Sequence, residues 1–312
     1  MILLLLQFIK NKVMHIHDLC CVGHITLDKV VTPKKTVHMP GGTAFYFSHA
    51  IRHFDDIDFK LVTALAETEI SVVDDLRSKG VDVDVMPSKH SVYFENIYGE
   101  NQDNRLQRVL AKADPFRFDT FKDVDAKIYL LGALLADDFS LDLIKSLAQK
   151  GRIAVDSQGY LREVRDHNVY PIDWKDKLET LKYVDILKVN ELEMEVLTGL
   201  TDVKKAAQQL YDWGVKEVLV TLGSLGSVIY DGNKFWTIPA YKPTEVVDAT
   251  GCGDTYVTGY LYQRARGADI DEAGKFAAAM ATIKIETSGP FNGTKEDVET
   301  RINTAPKQIP VL

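Results

Sequence analysis

The strongest constraint on this chain is a repeated alternation of nearly all-apolar runs with helix-forming segments. The runs IYLLGALL (128–135), RIAVDS (152–157), ILKVN (186–190) and EVLVTLG (217–223) carry too few polar residues to be strands with one wet face. Strands buried on both faces read this way, and helices between successive strands are what cover those faces. FSLDLIKSLAQKG (139–151), ELEMEVLTG (191–199) and VKKAAQQLYDWG (203–214) supply such helices. The pattern predicts a three-layer α/β domain around a central, mostly parallel sheet.

The first half extends this reading. HIHDLCCVG (15–23) and FKLVTALA (59–66) read as strands, and SVVDDLRSKG (71–80) as a helix closed by Gly80. A further helix, AFYFSHAIRHF (44–54), is opened by Gly41-Gly42. DKVVT (28–32), KTVHMP (35–40), VDVDVMP (81–87) and SVYFENIYGENQDNRLQRVLA (91–111) are short or alternating, and the last folds back at the polar stretch 99–104. These predict a small β-sheet lid from segments near 28–40 and 83–111. A hairpin around Asp231-Gly232 follows, and then helices over 252–266, 271–286 and near 294–305. The domain so defined covers 14–312. Residues 1–13 form an apolar extension too short to span a bilayer. It reads as a leader without catalytic meaning, with Met14 as the start, or as a short extra strand or interfacial patch.

Charge and cysteine content narrow the function. Forty-five acidic against 37 basic residues give a formal charge of −8, the wrong sign for a general nucleic-acid or anionic-membrane binder. An anionic substrate must therefore meet local helix ends or metal ions. Three cysteines, two of them adjacent, offer no disulfide framework, and a reducing, cytoplasmic location is expected.

The most informative stretch for chemistry is VVDATGCGDTYVTGYLYQRA (246–265). Asp248 and Thr250 precede the turn Gly251-Cys252-Gly253, and a helix begins at once with Asp254 in its first turn. Glycines leave backbone N–H groups unshielded, and the helix dipole adds partial positive charge at the same point, so the turn suits an anion. A carboxylate placed there can take a proton from an attacking hydroxyl. Read alone, Asp254 serves equally well as a helix cap.

These residues do not stand alone. Asp248-Ala249-Thr250-Gly251-Cys252-Gly253-Asp254 resembles the DTxGAGD signature of the ribokinase or PfkB-type carbohydrate kinase family, with Cys252 replacing the usual alanine. Pro40-Gly41-Gly42 and the Gly23…Asp28 spacing resemble the family's sugar-side motifs, and Asn190…Glu193 resembles its NxxE motif. The resemblance covers nearly the whole chain from Met14. It implies Gly251, Cys252 and Gly253 as the anion hole, Asp254 as catalytic base, and Asp28, Gly41 and Gly42 as acceptor contacts. It further implies Asn190, Thr221, Gly223 and Gly226 along ATP, Glu193 as an outer-shell partner of Mg²⁺, and Asp248 and Thr250 near a monovalent cation such as K⁺. A homodimer through the lid is also implied.

Tyr46 stands where the family often has Asn. With Gln158 and Arg162 of VDSQGYLR it resembles the myo-inositol kinase-like branch, although these last residues read equally as an ordinary strand-to-loop passage. The expected activity is ATP-dependent phosphorylation of a small sugar or polyol. A nucleoside or other sugar kinase, or a non-catalytic sugar-binding regulator on the same fold, remains the alternative. Tempting motifs are set aside. GCGDTY lacks the third glycine of a dinucleotide fingerprint, and no GxxxxGK[ST] occurs. His15, His17, Cys20 and Cys21 look like metal ligands on paper, but strand alternation splits neighbours between faces and favours core packing.

Overall fold

The computed structural model describes residues 15–33, 35–98, 105–304 and 307–308. The extension 1–13, Met14 and the expected turn at 99–104 lie outside the described residues. In chain order the elements are β1 (Ile16–Gly23), β2 (Thr26–Val31), β3 (Thr36–Gly41), α1 (Thr43–Ile51), β4 (Phe59–Leu65), α2 (Ser71–Ser78), β5 (Asp82–Pro87), β6 (Val92–Tyr98) and β7 (Arg105–Ala111). There follow β8 (Asp125–Gly132), α3 (Leu141–Ala148), β9 (Arg152–Asp156), β10 (Arg162–Arg165), β11 (Asn168–Pro171), the one-turn α4 (Lys177–Thr180), β12 (Ile186–Asn190), α5 (Glu191–Thr198) and α6 (Val203–Asp212). The chain closes with β13 (Glu217–Thr221), β14 (Ser227–Tyr230), β15 (Phe235–Ile238), β16 (Ala240–Tyr241), α7 (Cys252–Ala265), α8 (Ile270–Ile285), α9 (Lys295–Thr304) and β17 (Lys307–Gln308).

Nine strands form one sheet in the order β15-β14-β13-β12-β9-β8-β1-β4-β5, parallel except for the β13-β14-β15 meander. Period-two alternation sorts its side chains. Leu19 and Cys21 of β1 pack with α1, α2, α7, α8 and α9 on one face, while Cys20 and Val22 pack with α3, α5 and α6 on the other. The adjacent cysteines are therefore split between two cores, and all three cysteines are free. Covering both faces is what makes the apolar runs near-continuous, as the sequence predicts.

A second sheet of six strands, β10-β11-β7-β6-β2-β3, stands at one end of the first. Two departures from expectation concern it. Residues 82–87 do not join it: β5 pairs in parallel with β4 at the edge of the large sheet. The segment 162–171 does join it, as the hairpin β10-β11 paired onto β7. β6 and β7 pair antiparallel, in keeping with a chain reversal between them. No helix among the described residues is long and apolar enough to cross a membrane.

Candidate active site

In open α/β sheets ligands meet the carboxyl ends of the strands, and the charged residues gather there. Asp156 ends β9, Asn190 ends β12 and Thr221 ends β13. Asn190 and Thr221 are direct register partners, so the NxxE residues and the proposed nucleotide residues are neighbours. Gly223 and Gly226 follow in the short turn after β13.

α7 begins at this end of the sheet. Gly251 is its N-cap at φ 77°, a left-handed conformation that disfavours side chains, and a methyl there would lie 2.3 Å from the Tyr46 ring. Tyr46, 3% exposed on α1, therefore packs directly on the turn. Its phenol is pushed up by burial and by the charges of Asp254, Asp248 and Asp28, so the one ring lies within the field of both ends of the expected site. Cys252 turns its thiol toward the Ala281 carbonyl at 3.7 Å, and burial lifts it to about 11, leaving a protonated, unreactive sulfur.

Around the turn the charges are dense. Lys188, 5% exposed, donates to Asp156 Oδ2 at 3.1 Å and lies 3.8 Å from Glu193 Oε2. A side-chain carbon at Gly253 would sit 3.2 Å from its Nζ, which places the ammonium beneath the glycine turn. Burial alone would lower the Lys188 pKa, but Asp156 and Glu193 outweigh it and the group is held charged. Asp254 is raised to about 6, first by burial and next by the charge of Asp156. A hydrogen bond from Thr43 and the charges of Lys188 and Arg162 oppose the rise.

Glu193 closes a capping box on α5. Asn190 N reaches Glu193 Oε2 at 2.8 Å, Asn190 Nδ2 reaches Oε1 at 2.9 Å, and Asn190 Oδ1 accepts from Glu193 N at 2.9 Å. Ser157 Oγ donates to Oε2 at 3.1 Å. Burial nevertheless raises the Glu193 carboxyl, opposed mainly by Lys188.

On the smaller sheet Asp28 Oδ1 accepts from Thr26 Oγ1 at 2.7 Å, and its other oxygen lies against Gly41 across the β2-β3 pair. Gly42, at φ 87°, opens α1 just before Thr43. Gln158 donates its backbone N–H to Asp156 at 3.1 Å, and Arg162 begins β10. An open cleft of about 110 Å³ between the smaller sheet and α2 is lined by residues such as Leu27, Pro40, Leu65 and Val72; none of Asp28, Asp156, Lys188 or Asp254 lines it.

Under the other side of the turn, Asp248 Oδ1 accepts from Thr250 N at 2.9 Å. Lys284 of α8, with no exposed side-chain surface, donates to the carbonyls of Asp248 at 2.8 Å and Thr287 at 3.3 Å, and lies 3.5 Å from the Asp248 carboxylate. Lys188, Lys284 and Thr43 escaped sequence reasoning. The one available signal was a lysine inside an otherwise apolar segment, ILKVN for the first and AAAMATIKI for the second.

The arrangement sets the Asp254 carboxyl at a glycine-led helix start beside the Lys188-Asp156-Glu193 charges, a combination chemically suited to phosphoryl transfer. The sequence pattern of the pfkB family of carbohydrate kinases matches residues 17–297, and the chain belongs to that family. It is thus a kinase of the sugar and nucleoside type on a ribokinase-like fold. It is 29% identical over 290 residues to the cytidine kinase of Thermococcus kodakarensis, covering 89% of this chain and 99% of that one. A pyrophosphate-dependent kinase of the ribokinase family, complexed with a pyrophosphate analog and myo-inositol, superposes with TM-score 0.80 at 28% identity. That match covers 90% of this chain and 99% of the other. Arabidopsis thaliana ribokinase complexed with ribose and ATP matches in fold, with TM-score 0.77, 21% identity and coverage of 93% and 100%.

Proposed function

We propose that the protein transfers a phosphoryl group from Mg·ATP to a hydroxyl of a cyclic polyol such as myo-inositol, with Asp254 as general base. The observation that carries this reading is the Asp254 carboxyl raised to about 6 at the start of α7. Such a group is ionised at neutral pH yet basic enough to take a hydroxyl proton as the bond to phosphorus forms. The backbone N–H groups of Gly251 and Gly253, with Lys188 beneath them, hold the charge on the transferring group; the Cys252 N–H, expected to join them, is already donated to the Ala249 carbonyl at 3.2 Å. Tyr46 fixes the turn by packing on Gly251. Asp28, Gly41, Gly42, Gln158 and Arg162 orient the acceptor, and Asn190, Thr221, Gly223 and Gly226 lie along the nucleotide.

The donor set fits Mg²⁺, since the oxygens are hard and Glu193 keeps a buried carboxylate whose charge is incompletely balanced. Both Glu193 oxygens already accept protein N–H or O–H donors, so Glu193 meets the ion through water. The ion supplies charge neutralisation on the donor phosphates. Where K⁺ was expected beside Asp248 and Thr250, the Lys284 ammonium already satisfies the carbonyls of Asp248 and Thr287. In this reading no monovalent cation is required.

Two further readings have specific support. The cytidine kinase likeness, which spans nearly that whole relative, favours a nucleoside acceptor. The likeness to the pyrophosphate-dependent kinase makes pyrophosphate the competing donor. A matrix of ATP and pyrophosphate against myo-inositol, ribose and cytidine, reading the phosphorylated product, decides among them. Product from myo-inositol with ATP is the expected result; a much faster reaction with cytidine or ribose rejects the polyol assignment and leaves the kinase chemistry standing. The smaller sheet serves as a lid excluding water, and its exposed Val37, Leu106 and Tyr170 suit pairing with a second copy. Light scattering on the purified chain tests that pairing.

A further inference from the structure

Outside the catalytic cluster, one group of ligating side chains converges at the opposite rim of the large sheet. His15 and His17 are two residues apart at the start of β1, so strand alternation sends both imidazoles to one side. β4 pairs in parallel with β1 through Leu19 and Phe59, which brings the preceding residue, Asp58, alongside. His15 Nε2 lies 2.8 Å and His17 Nδ1 2.9 Å from the same oxygen, Asp58 Oδ2. The three ligand atoms fall within 4.8 Å of one another. The imidazole rings stand edge to face, at 87° and 4.5 Å between centroids. The cysteines that looked adjacent in sequence, Cys20 and Cys21, are buried in the two cores and take no part.

We propose that His15, His17 and Asp58 form a binding site for a borderline divalent transition-metal ion, Zn²⁺ in the first instance. Two neutral imidazoles and a carboxylate suit Zn²⁺, Co²⁺ or Ni²⁺, whereas Mg²⁺ prefers oxygen throughout. With each ring's N–H on its outer nitrogen, the His15 Nε2 and His17 Nδ1 lone pairs and Asp58 Oδ2 turn on one point, so the ion replaces their mutual contacts without a proton being lost. Among the described residues no lysine or arginine pairs with the Asp58 carboxylate. The ligands are held in advance: the His17 side chain is only 10% exposed. Asp58 is clamped by its backbone, accepting from Asp18 N at 2.9 Å and Leu19 N at 3.2 Å and donating to Asp18 Oδ2 at 3.1 Å. The His15 and Asp58 side chains, 69% and 46% exposed, leave a coordination position open to water. The site lies about 20 Å from the catalytic end, the length of six strand residues. It would staple the starts of the adjacent strands β1 and β4 without touching the phosphoryl-transfer chemistry.

The test uses the untagged full chain, stripped with chelator and titrated with ZnCl₂ by calorimetry and with CoCl₂ by visible absorption. One Zn²⁺ per chain is expected, with ligand-field bands for Co²⁺. Tm should rise by about 4 °C at a hundredfold excess over Kd, as linkage requires for a domain of this size. His15→Gln, a surface change that spares the fold, and Asp58→Asn should each weaken binding more than tenfold. Absence of stoichiometric binding, or binding that survives both substitutions unchanged, overturns the proposal.

Discussion

The two ends of the large sheet bury carboxylates in opposite ways. At the start of β13, Glu217 receives Arg264 at 2.6 and 3.1 Å, Tyr260 at 2.6 Å and Arg152 at 3.0 Å. Burial pushes its carboxyl up, yet these donors outweigh burial and hold it below its ordinary value. At the other end Asp156, Glu193 and Asp254 gather around the buried ammonium of Lys188, and there Glu193 and Asp254 rise. A buried charge that is fully answered is architecture. One left partly unanswered is held ready for a proton or a cation that arrives with substrate.

The largest expected effect breaks the reactive end outright. Asp254→Asn should lower turnover by roughly a hundred- to ten-thousand-fold, the range for a lost general base, with nucleotide affinity nearly unchanged. Because its raised pKa makes ionised Asp254 a cost to the fold above about pH 6, the variant should also be the more stable protein at pH 8. That advantage should shrink as pH falls through 6, where wild-type Asp254 takes up its proton. In the wild type kcat/KM should fall about tenfold per unit below pH 6. Thermal melts and rate profiles over pH 5–8 check both signs. Lys188→Met removes the only lysine in the cluster and should cost about a hundredfold in kcat, as loss of one transition-state donor does elsewhere. It should also move the acid limb of the pH profile upward.

Smaller effects sharpen the contrast. Lys284→Met should lose roughly ten- to hundredfold in activity, the range for a removed supporting partner, and regain much of it in KCl or NH₄Cl. The wild type should be indifferent to replacement of K⁺ by tetramethylammonium; a strong K⁺ requirement there would remove the fixed-cation role. Glu193→Gln should raise the Mg²⁺ needed for half-maximal rate by about tenfold while leaving acceptor KM alone, and the reverse pattern would place Glu193 at the acceptor. Glu217→Gln belongs to the other end. It should lower Tm by about 5 °C, as the breaking of a buried ion pair does in a chain of this length, and leave kcat unchanged.

Much of this was legible in the sequence, and what was not has identifiable causes. The parallel sheet, the glycine turn before Asp254 and the Asn190-Glu193 capping box are local patterns. The Lys188-Asp156 pair is not local: it exists because β12 lies beside β9 in a register that sets the two residues opposite each other. Strand β5 was misplaced because an edge strand, wet on one side, alternates like an antiparallel one. The hairpin at 162–171 was missed because its turn is made by Asp166 and His167, at φ 47° and 66°, and not by the asparagine-glycine pair that usually signals such a turn.

Lys284 carries a consequence for how the enzyme sits in its surroundings. In the proposed reading, a side chain that stands in for an ion cannot be diluted, exchanged or withheld; it comes with the fold once α8 packs against the segment before α7. On that reading the composition of the surrounding salt has no lever on the geometry of the turn before α7. Control over the rate is left to acceptor, nucleotide and Mg²⁺, the components that turnover itself consumes or releases.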